Sequence, residues 1–155
     1  VASAFDDAVR LHSRRPLTRQ ELCAKLRARG HAEEAIADAL ARLADAYGAD
    51  DASVALAFVT ARGRERGRDR VVGELVARGV PEEAASAAWS QARDEGAIDP
   101  EESLARAVRR RLGAPPGRAS RARLARVYNA LLSEGWGREP VEAALAPYGL
   151  ERIDP

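Results

Sequence analysis

Apolar positions recur along this chain in one phrase used three times. Residues 71–89 place Val71 and Leu75 four apart, followed by Gly79, Val80, Glu83, Ala85 and Trp89. The same order occurs earlier as Leu22, Leu26, Gly30, His31, Glu34, Ile36 and Leu40, and later as Val127, Leu131, Gly135, Trp136, Glu139, Val141 and Leu145. Apolar side chains at i and i+4 share one helix face, so each phrase opens inside a helix that packs inward. The glycine four places on ends that helix, because a C′ residue in the left-handed conformation is favourable for glycine. The following residue then packs back, predicting Val80 on Leu75, His31 on Leu26 and Trp136 on Leu131. The Glu shortly after lies in the first turn of the next helix, where negative charge is favoured.

A third helix precedes each phrase. Phe5, Ala8 and Val9 recur as Val54, Ala57 and Phe58 and as Leu104, Ala107 and Val108. The pattern predicts an all-α protein, an elongated tandem array of three three-helix repeats at 1–48, 49–97 and 98–155. From the first apolar residue to the glycine the separation is 25 residues in the first two copies and 31 in the third. The six additional residues are expected in Leu112 to Arg118, a Pro/Gly insertion centred on 113–117 in which Pro115 and Pro116 stiffen the loop.

Local signals set the boundaries. The first helix is expected over Ala2 to His12, broken by Arg14, Arg15 and Pro16. Thr18 with Glu21 three places on is a capping box for a second helix reaching Arg29. The third spans Glu33 to Tyr47, closed by Gly48. Asp50 and Asp51 could be read as hard-cation ligands, but acids directly before an apolar-periodic run cap a helix, and no further carboxylates follow at ligand spacing. That helix reaches Arg62. Asp99 and Pro100 open the seventh, and the tail after Pro147 is expected to be irregular. Val1 opens within a helical pattern and without Met, so residues are expected to precede it in the native protein.

Charge changes the picture more than composition does. The net charge of +1 conceals eight Arg and no acid between Arg106 and Arg126, against six acids and one Arg between Glu33 and Asp51. A second basic stretch, Arg62 to Arg70, holds five Arg, two acids and two Gly, and reads as a turn because glycine weakens a helix. A solvated charge run would account for such a segment alone, yet two clusters flanking one repeat can form one surface for phosphates or acidic protein. The candidate contacts are Arg62, Arg64, Arg66, Arg68, Arg70, Arg106, Arg109, Arg110, Arg111, Arg118, Arg121, Arg123 and Arg126. Of 25 basic residues 24 are Arg, a bias that lowers the weight of each.

Other chemistry is sparse. The chain lacks a phosphate-binding loop ending in Lys and Ser or Thr, a His-Glu-x-x-His pair, paired cysteines and a nucleophile elbow. Its acids fall on helix starts and exposed faces. We therefore expect no catalytic residues, no metal site, no cofactor and no enzymatic activity. Cys23 reads as a buried structural thiol, His31 as a packed cap residue, and Trp89 and Trp136 as core rather than base-stacking platforms. No apolar run is long enough to span a membrane, no secretory segment is present, and a cytoplasmic monomer is expected.

The run from Pro16 to Trp89 resembles the RecX regulatory proteins of bacteria. The likeness lies in Glu21, Leu22, Lys25, Leu26 and Gly30, in the helix from Asp50 to Arg62, and in Gly67, Leu75 and the turn from Arg78 to Val80. Arg121 to Leu145 resembles the family's last repeat through Leu124, Tyr128, Gly135, Trp136 and Glu139. Val54 replaces a usual aromatic, Gly48 and Ala49 replace a pair of leucines, and Ala32 lacks a capping side chain. The resemblance implies a modulator that binds the RecA filament on single-stranded DNA and inhibits its ATPase, extension and strand exchange. Single-stranded DNA would be met directly or through RecA. A helical DNA-binding protein acting without RecA is the alternative, although the helix starts at Ala32 to Ala37 and Glu82 to Ala87 offer acids and alanines that suit phosphate poorly.

Overall fold

A computed structural model describes residues 1–151. Among them lie nine α-helices, a short 3-10 turn and no strand: α1 Ala4–Arg14, α2 Arg19–Ala28, α3 Glu33–Tyr47, α4 Asp51–Arg62, α5 Arg68–Ala77, α6 Glu82–Asp94, α7 Pro100–Leu112, α8 Arg121–Ser133, α9 Arg138–Leu145 and the 3-10 turn Ala146–Tyr148. The chain is thus an all-helical, repeated three-helix fold. Two compact units form, one from Val1–Phe58 with Glu74–Ala88 and the other from Val59–Gly73 with the chain from Trp89 onward. Beyond Pro147, where an irregular tail is expected, Tyr148 closes the 3-10 turn and 149–151 form neither helix nor strand, while 152–155 lie outside the described part.

Local chemistry explains the element ends. The Thr18 hydroxyl accepts the Glu21 N–H at 3.2 Å while the Glu21 carboxylate accepts the Thr18 N–H at 3.0 Å, a complete capping box. The three phrase glycines adopt φ of 86°, 96° and 92° at Gly30, Gly79 and Gly135. After each, one N–H bonds five residues back: His31 to Leu26, Val80 to Leu75 and Trp136 to Leu131. Asp50 caps α4 by accepting the Ser53 N–H at 2.8 Å. Asp51 instead accepts the Arg19 N–H at 2.8 Å, satisfying an otherwise orphaned donor of α2.

The first helices run in a different register from the one apolar spacing suggests. Their caps are Ser3, Asp50 and Asp99, and the fourth and fifth residues after each cap are buried: Asp7 with Ala8, Val54 with Ala55, Ser103 with Leu104. Ala55 is therefore the counterpart of Ala8, while Ala57 is exposed. Small residues at both places hide the phase from a hydropathy reading, and α1 accordingly begins at Ala4 rather than Ala2. In the third copy the additional residues also divide between the loop after α7 and α8 itself, which has 13 residues where α2 and α5 have 10.

In the first unit Ala8, Leu17, Leu22, Leu26, Ile36, Leu40 and Leu43 form one core. Phe5 packs against its edge beneath the Arg42 guanidinium, 4.0 Å from the ring centroid. Cys23 is only partly buried there. In the second unit Leu104, Val108, Leu124, Leu131, Trp136, Val141, Leu145 and Tyr148 close another core. Trp89 and Trp136 are each 5% exposed and so are packing residues. The Tyr148 hydroxyl donates to the Gly113 carbonyl at 2.6 Å, and the Gly117 and Ala119 N–H groups donate to Pro147 and Tyr148, lacing the proline-rich loop to the 3-10 turn.

Candidate functional site

All thirteen candidate arginines lie in the second unit. Arg62 ends α4 and the connecting turn covers 63–67, so Arg68 and Arg70 belong to the first turn of α5 rather than to the loop. That turn is anchored by backbone. The Gly67 N–H donates to the Glu134 carbonyl at 2.8 Å and the Asp69 N–H to the Gly135 carbonyl at 3.2 Å. A Cβ on Gly67 would come within 2.3 Å of the Gly135 carbonyl, so glycine is required for this approach. Arg70 Nη1 donates to the Ser133 carbonyl at 3.3 Å.

The same unit joins the two basic stretches directly. Arg106 Nη2 of α7 donates to the Arg64 carbonyl at 3.2 Å, holding the α4–α5 turn beside the exposed face of α7 that carries Arg109 and Arg110. Several candidates are tied to their own chain. Arg111 pairs with Glu134 and donates to the Ala107 carbonyl at 3.2 Å. Arg109 pairs with Glu102 at 2.7 Å, and Arg123 Nη2 donates to the Arg111 carbonyl at 2.6 Å, near the end of α7 where cations are favoured. Arg66 bonds the Glu65 carbonyl at 3.1 Å and Arg68 lies 3.7 Å from Asp69. Arg62 is exposed at the end of α4.

Arg64, Arg110, Arg118, Arg121 and Arg126 remain. Their side chains are exposed and make no hydrogen bond or ion pair with other described residues. These five guanidiniums can meet an external anion without breaking a pair among the described residues, whereas Arg111 is a structural cation. Sequence alone could not separate the two groups, because Arg111 and Arg110 are neighbours that differ only in helix phase.

A groove of about 580 Å³ opens in this unit between Trp89 and Arg93 of α6, Leu104 of α7, and Trp136 and Pro140 beside α9. Arg93 and Glu101 pair across its rim at 2.7 Å. The Trp136 Nε1–H is buried and meets no acceptor among the described residues.

One polar cluster escaped the sequence reading, which placed acids on helix starts and exposed faces. Asp7 is 7% exposed. It accepts a bond from Arg29 Nη1 at 2.8 Å and one shared with His31 Nε2 at 2.7 Å. The His31 hydrogen bond holds its carboxyl below the usual range against the opposing effect of burial, and Arg29 adds to the lowering. His31 is thus the hydrogen-bonded partner of an acid, not merely a packed cap. The signal was legible, since Ala4, Asp7, Ala8 and Leu11 follow the i, i+3, i+4, i+7 spacing of a buried face. Among the described residues no three His, Cys, Asp or Glu side chains gather to hold a metal ion, and no helix is long and apolar enough to cross a membrane.

Residues 4–43 match the family described as RecX, first three-helix domain. The regulatory protein RecX of Chromohalobacter salexigens is 39% identical over 146 residues, 94% of this chain and 92% of the relative. This chain belongs to the RecX family. RecX of Thermobifida fusca is 37% identical over 83% of the chain and 69% of the relative, and that of Thermus thermophilus is 41% identical over 63% and 68%. The crystal structure of RecX from Lactobacillus salivarius superposes with a TM-score of 0.74 at 19% identity, covering 92% of each chain, and so shares the fold. The relatives are named as regulatory proteins, and the RecX resemblance read from Pro16 to Trp89 and from Arg121 to Leu145 is borne out by kinship over 94% of the chain.

Proposed function

We propose that this RecX-family chain binds the RecA recombinase filament on single-stranded DNA and inhibits its ATPase, extension and strand exchange. The observation that carries the reading is kinship to regulatory RecX proteins over nearly the full length of both chains. The five exposed arginines without partners among the described residues, Arg64, Arg110, Arg118, Arg121 and Arg126, supply the contacts to acidic RecA side chains or to DNA phosphates. Working as a cytoplasmic monomer, the chain uses its three repeats, 1–48, 49–97 and 98–155, to touch more than one filament subunit, so that later contacts form at high effective concentration.

The exposed guanidiniums also favour a second reading, direct binding of single-stranded DNA without RecA. Fluorescence anisotropy of a labelled oligonucleotide separates the two. The first reading expects weak, steeply salt-dependent binding to bare DNA and much tighter binding to the RecA-coated strand. Equal affinity for both would favour the second reading.

A further inference from the structure

A second pocket of the second unit, of about 550 Å³, opens beside α8. Its lining includes Leu150 and, on α8, Arg121, Leu124, Ala125, Tyr128 and Asn129. Positions 121, 125, 128 and 129 fall on one helix face, so α8 presents them together. Leu124 is buried and Tyr128 half-buried, which gives the wall an apolar base. On it stand three polar groups, the Arg121 guanidinium, the Tyr128 hydroxyl and the Asn129 amide, none of which makes a hydrogen bond with another described residue. Charge on α8 is all of one sign, three Arg and no acid.

Two acids, Glu142 and Glu151, also border the pocket. Glu142 Oε1 accepts from Arg138 Nε at 2.8 Å, which leaves Oε2 as an acceptor. This mixture discriminates among ligands. Phosphate alone would use Arg121 and be repelled by the acids. A purely apolar ligand would strip water from a guanidinium, a hydroxyl and an amide and return no hydrogen bonds. An acidic peptide would set its carboxylates against Glu142 and Glu151. A nucleotide uses every part: a flat face for the Tyr128 ring, edge acceptors for Asn129, edge N–H groups for a carboxylate, and a phosphate for Arg121.

We infer that this pocket takes one unstacked base of a single strand, with the base against Tyr128 and the adjoining phosphate on Arg121. The inference rests on the reading in which the chain meets single-stranded DNA, and it adds that a base is held as well as the backbone.

The test titrates the full chain with a labelled thymidine pentanucleotide and with an abasic strand of the same length, which has the same phosphates. The base-bearing strand should bind about tenfold more tightly, or about 1.4 kcal/mol, and should shift the amide NMR signals of Tyr128, Asn129 and Leu150 where the abasic strand does not. Tyr128→Leu keeps apolar bulk and removes the aromatic face, so it should bring the two strands to one affinity, while Tyr128→Phe should keep most of the difference. Asn129→Ala, at an exposed position, should weaken the base-bearing strand about threefold and leave the abasic one unchanged. Equal affinity of the wild-type chain for the two strands would overturn the base site and leave filament binding standing. Binding to neither strand would remove direct contact with DNA together with it. A chain ending at Glu151 that bound the base-bearing strand about tenfold more tightly would also overturn it, since residues 152–155 would then be the pocket's own occupant.

Discussion

The starts of α2 and α5 dock over Gly79 and Gly135 and solve one packing problem with opposite materials. In the first unit side chains do the work: the Thr18 hydroxyl bonds the Arg78 carbonyl and the Glu21 carboxylate grips Arg78, which also lies 5.5 Å from the Phe58 ring and reaches the Pro16 carbonyl at 3.0 Å. In the second unit the glycine backbones of Gly67 and Gly135 meet directly, and the charge types are exchanged, Arg70 standing where α2 has Glu21 and Glu134 where the other turn has Arg78. The difference teaches that one glycine turn can be covered by a side-chain pair or by backbone alone: Glu21 grips Arg78 at Gly79, whereas at Gly135 the Glu134 carboxylate pairs with Arg111 and Arg70 reaches the Ser133 carbonyl.

The largest expected effect falls on the backbone dock. Gly67→Ala places a methyl group inside the Gly135 peptide, where nothing flexible can yield, and should cost about 3 kcal/mol in urea unfolding. Because Gly67 is not in the left-handed region, that loss reports the contact alone. A cost below about 1 kcal/mol would mean the two backbones are not held together.

The side-chain dock should respond to charge. Glu21→Arg alone breaks a half-buried, hydrogen-bonded pair and should cost about 2 kcal/mol, the two side chains being only 23% and 19% exposed. Adding Arg78→Glu, which reproduces the order seen at Arg70 and Glu134, should restore at least about half of it in a double-mutant cycle. Additive losses would mean that the Glu21–Arg78 pair does not hold this dock.

Gly30→Ala isolates the turn without a cover. Only the positive φ opposes the new methyl group, so the cost should be about 1 kcal/mol, clearly smaller than for Gly79→Ala, where Gln20 also blocks the space. Equal costs would show that the covers contribute nothing.

The smallest effect is a pH dependence of the first unit. The Asp7 carboxyl is held below its ordinary value in the folded chain. Its contribution is therefore fully present above the unfolded value near about pH 4 and is lost as pH falls through the lower folded value. Asp7→Asn should flatten the acid arm of the urea midpoint against pH. An unchanged acid arm would remove Asp7 as the linked group.

Much of this was legible in the residues. Thr18 with Glu21 announced the α2 cap, Glu33 to Tyr47 matches α3 to the residue, and the three turn glycines stand where their spacing put them. What stayed hidden depended on chain far away. Neither the reach of Thr18 to Arg78 nor that of Gly67 to Gly135 leaves any local periodicity, because each links residues about 60 or more apart. The phase of α4 was hidden because Ala55 and Ala57 are identical in hydropathy, and only the cap at Asp50 settles which is buried. The arginines form two stretches in the sequence, but which of them are committed internally depends on Glu102, Glu134 and carbonyls that no spacing rule connects to them.

The most direct test of the functional account is a RecA ATPase titration on single-stranded DNA. The wild-type chain is compared with a triple reversal of Arg64, Arg110 and Arg121 to Glu, and with an equal change of charge at Arg10, Arg14 and Lys25 in the first unit. The account predicts that the first variant needs about tenfold more protein for half-inhibition, or about 1.4 kcal/mol, while the second stays near wild type. Inhibition by wild type that both variants reproduce equally, or no inhibition by the wild-type chain at all, would contradict it.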